Sequence, residues 1–263
     1  MKRIILTIAC TVLMCTGAAA WGRLGHATVA RIAEMHLTPE ARKAVSEIMH
    51  GESIVLYASY ADEFKGSMFI DKEHNHPHTF EANMDFEPFR GIYDGDRYVK
   101  NCIHFVEQYT SDLRNWREMD DSTRWNELVM MVHFVGDMHC PEHIRYNPEE
   151  MTIGYYKVKF RGQEIRYHTL WDDQLIALKY PWSFSDIAHL FDCASEEEIA
   201  AITAGGPYDW GRDTARACWP VHAVQPGAEL DTEWFRAQLP LLRSQIRNAG
   251  YRLAAQLNRI FAE

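Results

Sequence analysis

Two pairs of residues constrain this chain more than anything else in it. His133 and Asp137 lie four apart in "HFVGDMHCPEH", and His168 and Asp172 lie four apart in "HTLWD". A residue and its fourth neighbour share one face of an α-helix. Each pair therefore asks for a helix that turns an imidazole and a carboxylate in one direction. Pro141 ends the first helix, so His143 projects elsewhere, toward a second centre. Two such pairs with an extra His suit imidazole and carboxylate ligation of zinc.

The rest of the pattern is helical too. Apolar residues recur at helical spacing over 22–36, and Thr38-Pro39-Glu40 opens a second helix that Gly51 ends. Residues 66–97, with glycine, proline and many histidines, read as a long functional loop. Helices are expected at 98–113 and at 122–139, the second opened by Ser122. "YYKVKFRGQEIRYH" at 155–168 alternates and turns at Arg161-Gly162, a short β-hairpin. Helical patterns resume at 169–180, 183–192, 195–204 and 209–218. The last, 232–262, is long and should be interrupted at Pro240 and Gly250. The expected fold is all-α, one multi-helix domain over 21–263 with a small hairpin near 155–168.

Residues 1–20 have the form of a secretory signal: Lys2 and Arg3, an apolar run from Ile4 to Met14, and Ala18-Ala19-Ala20 as an A-x-A cleavage pattern. Cleavage after Ala20 makes Trp21 a free N-terminus in a secreted or periplasmic chain. No membrane anchor is expected, because no other segment approaches the roughly 20 apolar residues of a membrane helix. Without Lys2 and Arg3 the 27 basic residues become 25 against 37 acidic ones, a net charge of −12. A basic nucleic-acid surface is excluded, but a positive site built from metal ions is not. Four cysteines remain, Cys102, Cys140, Cys193 and Cys218, none in a CxxC pair, so a cysteine zinc site is not indicated.

"WGRLGH", "ASYAD", "HFVGDMHCPEH", "YHTLWD" and "AGYRLAAQLNRIF", in this order, resemble the secreted tri-zinc single-strand nucleases that are also 3′-nucleotidases, the S-one/P-one family of the zinc phospholipase C superfamily. The resemblance implies three Zn2+ in a helical cleft. Asp62, His78, His133 and Asp137 would hold one. The amine and carbonyl of Trp21, His26 and a bridging Asp137 would hold a close second, and His143, His168 and Asp172 the third. It further implies a monomer that hydrolyses single-stranded RNA or DNA to 5′-nucleotides and removes 3′-phosphate from 3′-nucleotides. The attacking group would be a hydroxide bridging the paired zincs, with Asp62 orienting it.

Lys65 stands where the family usually has a phosphate-binding Arg. It keeps the charge but not the bidentate fork; otherwise it is a solvated surface lysine. In "HNHPHTF", His78 aligns as the ligand, with His76 and His74 as alternatives. Thr79 then replaces the family's aromatic, Phe80 is free to take over base stacking, and Glu81 bonds a base edge or is a solvated loop acid. Cys140 replaces a Gln and reads as a buried bystander rather than a competing ligand. Relatives imply a Cys102–Cys218 disulfide, leaving Cys193 free. His36, His50, His104, His139, His189 and His222 read as surface or core residues.

Two other readings stand beside this one. A zinc phospholipase C also begins at a ligating Trp, but the Trp21-x4-His26 spacing and a last pair ending in Asp172 rather than Glu argue against it. A non-catalytic zinc-binding protein would need metal sites with no open position.

Overall fold

A computed structural model describes residues 21–64, 78–89, 91–94, 97–146 and 155–262. The signal segment 1–20, with its cleavage pattern, and Lys65, His74 and His76 lie outside the described residues.

Helix α1 (Arg23–Met35) starts at Gly22 and buries Val29, Ala30, Ile32 and Ala33. It packs on the long C-terminal helix α11 (Thr232–Ile260). The crossing is close because residue 250 is glycine: a Cβ there would stand 2.5 Å from Ile32 Cβ. Helix α2 (Pro39–Ile48) opens as its sequence indicates, with Thr38 Oγ1 accepting from the Ala41 amide at 3.2 Å and Pro39 at the first position. Gly51, at φ 84°, closes it. A short helix α3 (Tyr60–Glu63) lies against α5 (Asp121–Asp137).

Helices α4 (Cys102–Asp112) and α5 (Asp121–Asp137) pack together. From Leu128 to Asp137 every residue of α5 is buried. A helix apolar on all sides belongs in the middle of a core, and here it carries polar His133 and Asp137 into that core. The cap of α5 is Asp120 rather than Ser122: Asp120 accepts from the Thr123 amide at 3.0 Å, and the Ser122 hydroxyl donates to the same carboxylate. Aspartate outcompetes serine here because it takes the amide and two hydroxyls together.

Downstream, α6 (Tyr167–Thr169), a π turn (Leu170–Gln174) and α7 (Leu175–Lys179) form one helical stretch. Helices α8 (Phe184–Phe191), α9 (Glu196–Ile202) and α10 (Pro207–Cys218) follow. Contrary to the sequence expectation, α11 runs unbroken through Pro240 and Gly250. Pro240 is exposed, so the carbonyl it leaves without a helical partner can bond water, while Gly250 serves the crossing with α1.

The strands are few. β1 (Phe80–Ala82) pairs in parallel with β4 (Ile144–Tyr146), and β2 (Gly91–Asp94) pairs with β3 (Arg97–Lys100). Hence the described part of 66–97 is partly stranded, not a plain loop. β5 (Lys157–Phe160) and β6 (Gln163–Arg166) form the expected hairpin. Arg161 and Gly162 both have positive φ, 52° and 75°, as a two-residue type I′ turn requires. β7 (Glu229–Leu230) joins the edge of β5. One apolar cluster links these elements, from Trp21 to Phe261, and no described helix is long and apolar enough to cross a membrane.

Candidate metal centre

Four segments converge on Asp137. His26, in the first turn of α1, brings Nε2 to 3.3 Å from Asp137 Oδ1 and 3.9 Å from Asp62 Oδ2. His133, one turn before Asp137 on α5, brings Nε2 to 3.1 Å from Asp137 Oδ2 and 3.7 Å from Asp62 Oδ2. His78, just before β1, holds Nδ1 2.7 Å from Asp137 Oδ2 and 3.6 Å from Asp62 Oδ1. The space for His26 exists because residue 136 is glycine; a Cβ there would come within 2.7 Å of His26 Nδ1.

Backbone carbonyls aim these rings. His133 Nδ1 donates to the Ala58 carbonyl at 2.8 Å, which turns Nε2 toward the carboxylates. His143 Nδ1 donates to the His78 carbonyl at 2.7 Å. The β1–β4 pairing, with Phe80 opposite Ile144, makes that second contact possible by laying residue 78 beside residue 143. Such outer bonds fix tautomer and ring direction in metal sites.

A second cluster lies alongside. His168 Nε2 is 2.9 Å from Asp172 Oδ2, and the His168 ring stacks on His143 with centroids 5.1 Å apart and planes 2° from parallel. His143 Nε2 is 4.0 Å from Asp172 Oδ1, and Cys140 Sγ donates to that oxygen at 3.3 Å. Asp172 sits on the π turn, whose carbonyl at the same residue accepts the Gly22 amide at 2.6 Å. The first described residues are thereby tied to the second cluster.

The clusters are buried and crowded. Both Asp62 oxygens, His78 Nε2, Asp137 Oδ1 and His168 Nδ1 are buried with no hydrogen-bond partner. Leaving buried polar atoms unpaired is costly, and divalent cations would satisfy them. Among the described residues three groups have ligand atoms close enough to share an ion: His26, Asp62 and His133; His78, His133 and Asp137; Cys140, His143 and Asp172. Imidazole nitrogens and carboxylate oxygens are donors that zinc accepts.

Titration in the metal-free clusters follows burial and charge. Burial works to raise the Asp137 carboxyl, but His133 and His78 outweigh it and hold it well below the carboxylate range. Burial pushes Asp172 up to about 6, with His168 opposing. Burial, then the neighbouring His133, lowers the His26 imidazole. Against its burial, Asp137 and Asp62 lift His133 to about 9. Divalent ions in place of those protons would leave the imidazoles neutral.

Other expected residues fall less neatly. Phe80 is 1% exposed and packs in the core, so its ring is not offered to a base. Glu81 is buried rather than solvated; burial raises its carboxyl, and Arg145 Nη1 lies 3.9 Å away. Thr79 is half-buried beside His78. Cys102 and Cys218 are buried and free, not bridged, and burial raises both thiols. Cys140, read from the sequence as a buried bystander, is buried, and its Sγ lies within reach of His143 and Asp172. The sequence gives the Ala58 carbonyl no role, and nothing local signals it.

A helical core that buries a histidine–aspartate cluster shaped for divalent cations defines a metal-dependent class of protein. Comparison with known families narrows this: residues 21–262 match the S1/P1 Nuclease family model, and the chain belongs to that family. Nuclease PA3 of Penicillium sp is 30% identical, covering 91% of this chain and 97% of its own. Endonuclease 4 of Arabidopsis thaliana is 25% identical over 94% of this chain and 91% of its own. Nuclease S1 of Aspergillus oryzae is 25% identical over 100% of this chain and 99% of its own. The chain is a nuclease, a hydrolase of phosphodiester bonds.

Proposed function

We propose that this nuclease is an exported, three-zinc enzyme that cleaves single-stranded RNA and DNA to 5′-nucleotides and removes the phosphate of 3′-nucleotides. The observation that carries the reading is the set of buried, unsatisfied oxygens and nitrogens around Asp62 and Asp137 in a chain matched to the nuclease family from residue 21 to 262.

Asp62, His78, His133 and Asp137 would hold one ion; the main chain of Trp21, His26 and Asp137 a second; His143, His168 and Asp172 a third. When bound, the ions supply Lewis acidity, which makes water acidic and draws charge off phosphate oxygens. The protein does the rest. Asp137, with two oxygens facing different rings, is placed to serve two ions. Asp62 is the carboxylate available to accept a hydrogen bond from the attacking water and hold it in line. Lys65 supplies a cation for phosphate oxygens, and Glu81 with Thr79 lines the approach for a base. Six charges from three ions against three aspartates leave a positive cleft in an acidic protein, which attracts phosphate.

The decisive comparison uses the chain beginning at Trp21 and the same chain with one residue added before it. Bound zinc, and release of nucleotides from single-stranded DNA and of phosphate from 3′-AMP, are measured for both. The Trp21 form is expected to hold more zinc and to work on both substrates. Equal zinc and equal rates would remove the N-terminal amine from the ligand set, and hydrolysis of phosphatidylcholine alone would overturn the substrate.

A further inference from the structure

Cys140 lies against the Asp172 cluster and has no part in the proposed chemistry. Its place is fixed by the backbone. It stands just past α5, after Met138 and His139, with its amide bonded to the Asp137 carbonyl at 2.9 Å and its own carbonyl accepting the His143 amide at 3.0 Å. Pro141 then starts the 3-10 turn Pro141–His143. The side chain is fully buried and meets Asp172 Oδ1 at 3.3 Å. Cys140 Sγ, a His143 ring nitrogen and an Asp172 oxygen all lie within 4.8 Å of one another. Ligand atoms of a tetrahedral zinc stand about 3.3–3.8 Å apart, given bonds of about 2.3 Å to sulfur and 2.0–2.1 Å to nitrogen. The 3.3 Å between Cys140 Sγ and Asp172 Oδ1 is already at that spacing, and the 4.0 Å between His143 Nε2 and Asp172 Oδ1 is close to it. The other oxygen of the same carboxylate, Asp172 Oδ2, faces His168 Nε2 at 2.9 Å, so Asp172 joins Cys140 to the His143–His168 pair.

We infer that Cys140 is a protein ligand of the ion held by His143, His168 and Asp172, giving that site one sulfur, two imidazoles and one carboxylate. The inference rests on the reading of this cluster as a metal site. As the sulfur–metal bond forms, the Sγ proton now directed at Asp172 Oδ1 leaves to solvent, one proton for each ion bound. Four protein donors fill a tetrahedron, the pattern of closed sites. Sulfur also shifts the site's preference toward thiophilic ions, and its charge takes one positive unit from the cleft.

The test is optical and needs no turnover. The full chain, freed of metal and reloaded with Co2+, is expected to show a near-ultraviolet thiolate-to-cobalt charge-transfer band beside the visible bands of bound cobalt. Cys140→Ser should lose the former and keep the latter, and Cys140→Ala replaces it if the serine variant does not fold. Cys102→Ser, which removes a buried free thiol on α4, should keep the band. Bound cobalt with no sulfur band overturns the inference while leaving the metal reading intact. A band that survives in folded Cys140→Ser or vanishes in folded Cys102→Ser also overturns it. Failure to take up any cobalt or zinc removes both readings.

Discussion

The imidazole of His26 lies flat on that of His133, with centroids 4.2 Å apart and planes 15° from parallel. The ring occupies the gap left where Gly136 has no side chain. Two helices far apart in sequence are thus brought face to face by one missing carbon.

Gly136→Ala tests that contact. Alanine favours a helix by about 1 kcal/mol over glycine, so α5 itself should not suffer. Its methyl would sit 2.7 Å from His26 Nδ1 and 2.9 Å from Cε1, and the imidazole must move. A misplacement of this size costs about 10²-fold in rate. The expected outcome is a folded protein with reduced zinc content and about a hundredfold slower single-stranded DNA cleavage. Metal analysis and nuclease assay check it.

Chelation should lower both activity and stability. An ion that binds only the folded chain adds about 2.7 kcal/mol when present at 100 times its Kd. Thermal melting with and without a chelator should show a fall in Tm that added zinc reverses. Asp137→Asn should not recover Tm on zinc addition, because the carboxylate that faces His26, His78 and His133 is gone.

His139 gives stability a slope in acid that owes nothing to the ion sites. Burial and the nearby Arg252 lower its imidazole from 6.5 to about 3, and its Nδ1 donates to the Val135 carbonyl at 2.7 Å. The folded state thus keeps His139 neutral where the unfolded chain would protonate it. Its contribution is complete above about 6.5 and is lost as pH falls from there toward about 3. Urea unfolding of metal-free protein should lose less stability per pH unit through that window in His139→Gln than in the native chain.

Gly250→Ala probes the α1–α11 crossing. Alanine should help an isolated helix, yet here its Cβ would stand 2.5 Å from Ile32 Cβ and 3.1 Å from the Val29 carbonyl oxygen. Overpacking of this kind costs about 1–3 kcal/mol. Chemical denaturation should show net destabilisation, relieved in part by Ile32→Ala on the facing helix.

How much of this was legible depended on distance along the chain. The i,i+4 pairs were readable because helix geometry alone joins them, and His133–Asp137 and His168–Asp172 do meet, at 3.1 and 2.9 Å. Thr38-Pro39 and Arg161-Gly162 were readable for the same local reason. The failures lay where tertiary context decides. Pro240 was read as a break because sequence does not show that its side of α11 faces water. Phe80 was read as a surface aromatic because a three-residue strand is too short to reveal which face it buries. The Cys102–Cys218 bridge came from a resemblance, and neither thiol's local sequence could test it.

The bond between the Gly22 amide and the Asp172 carbonyl has a consequence for synthesis. Gly22 and helix α1 emerge from the ribosome early, but the partner that fixes them comes some 150 positions later, and α11, on which α1 rests, comes later still. Until then the opening helix has no permanent seat. Loading with metal is therefore a terminal event in the making of this enzyme, and a chain truncated before α11 would carry all of the proposed ligands without the frame that aligns them.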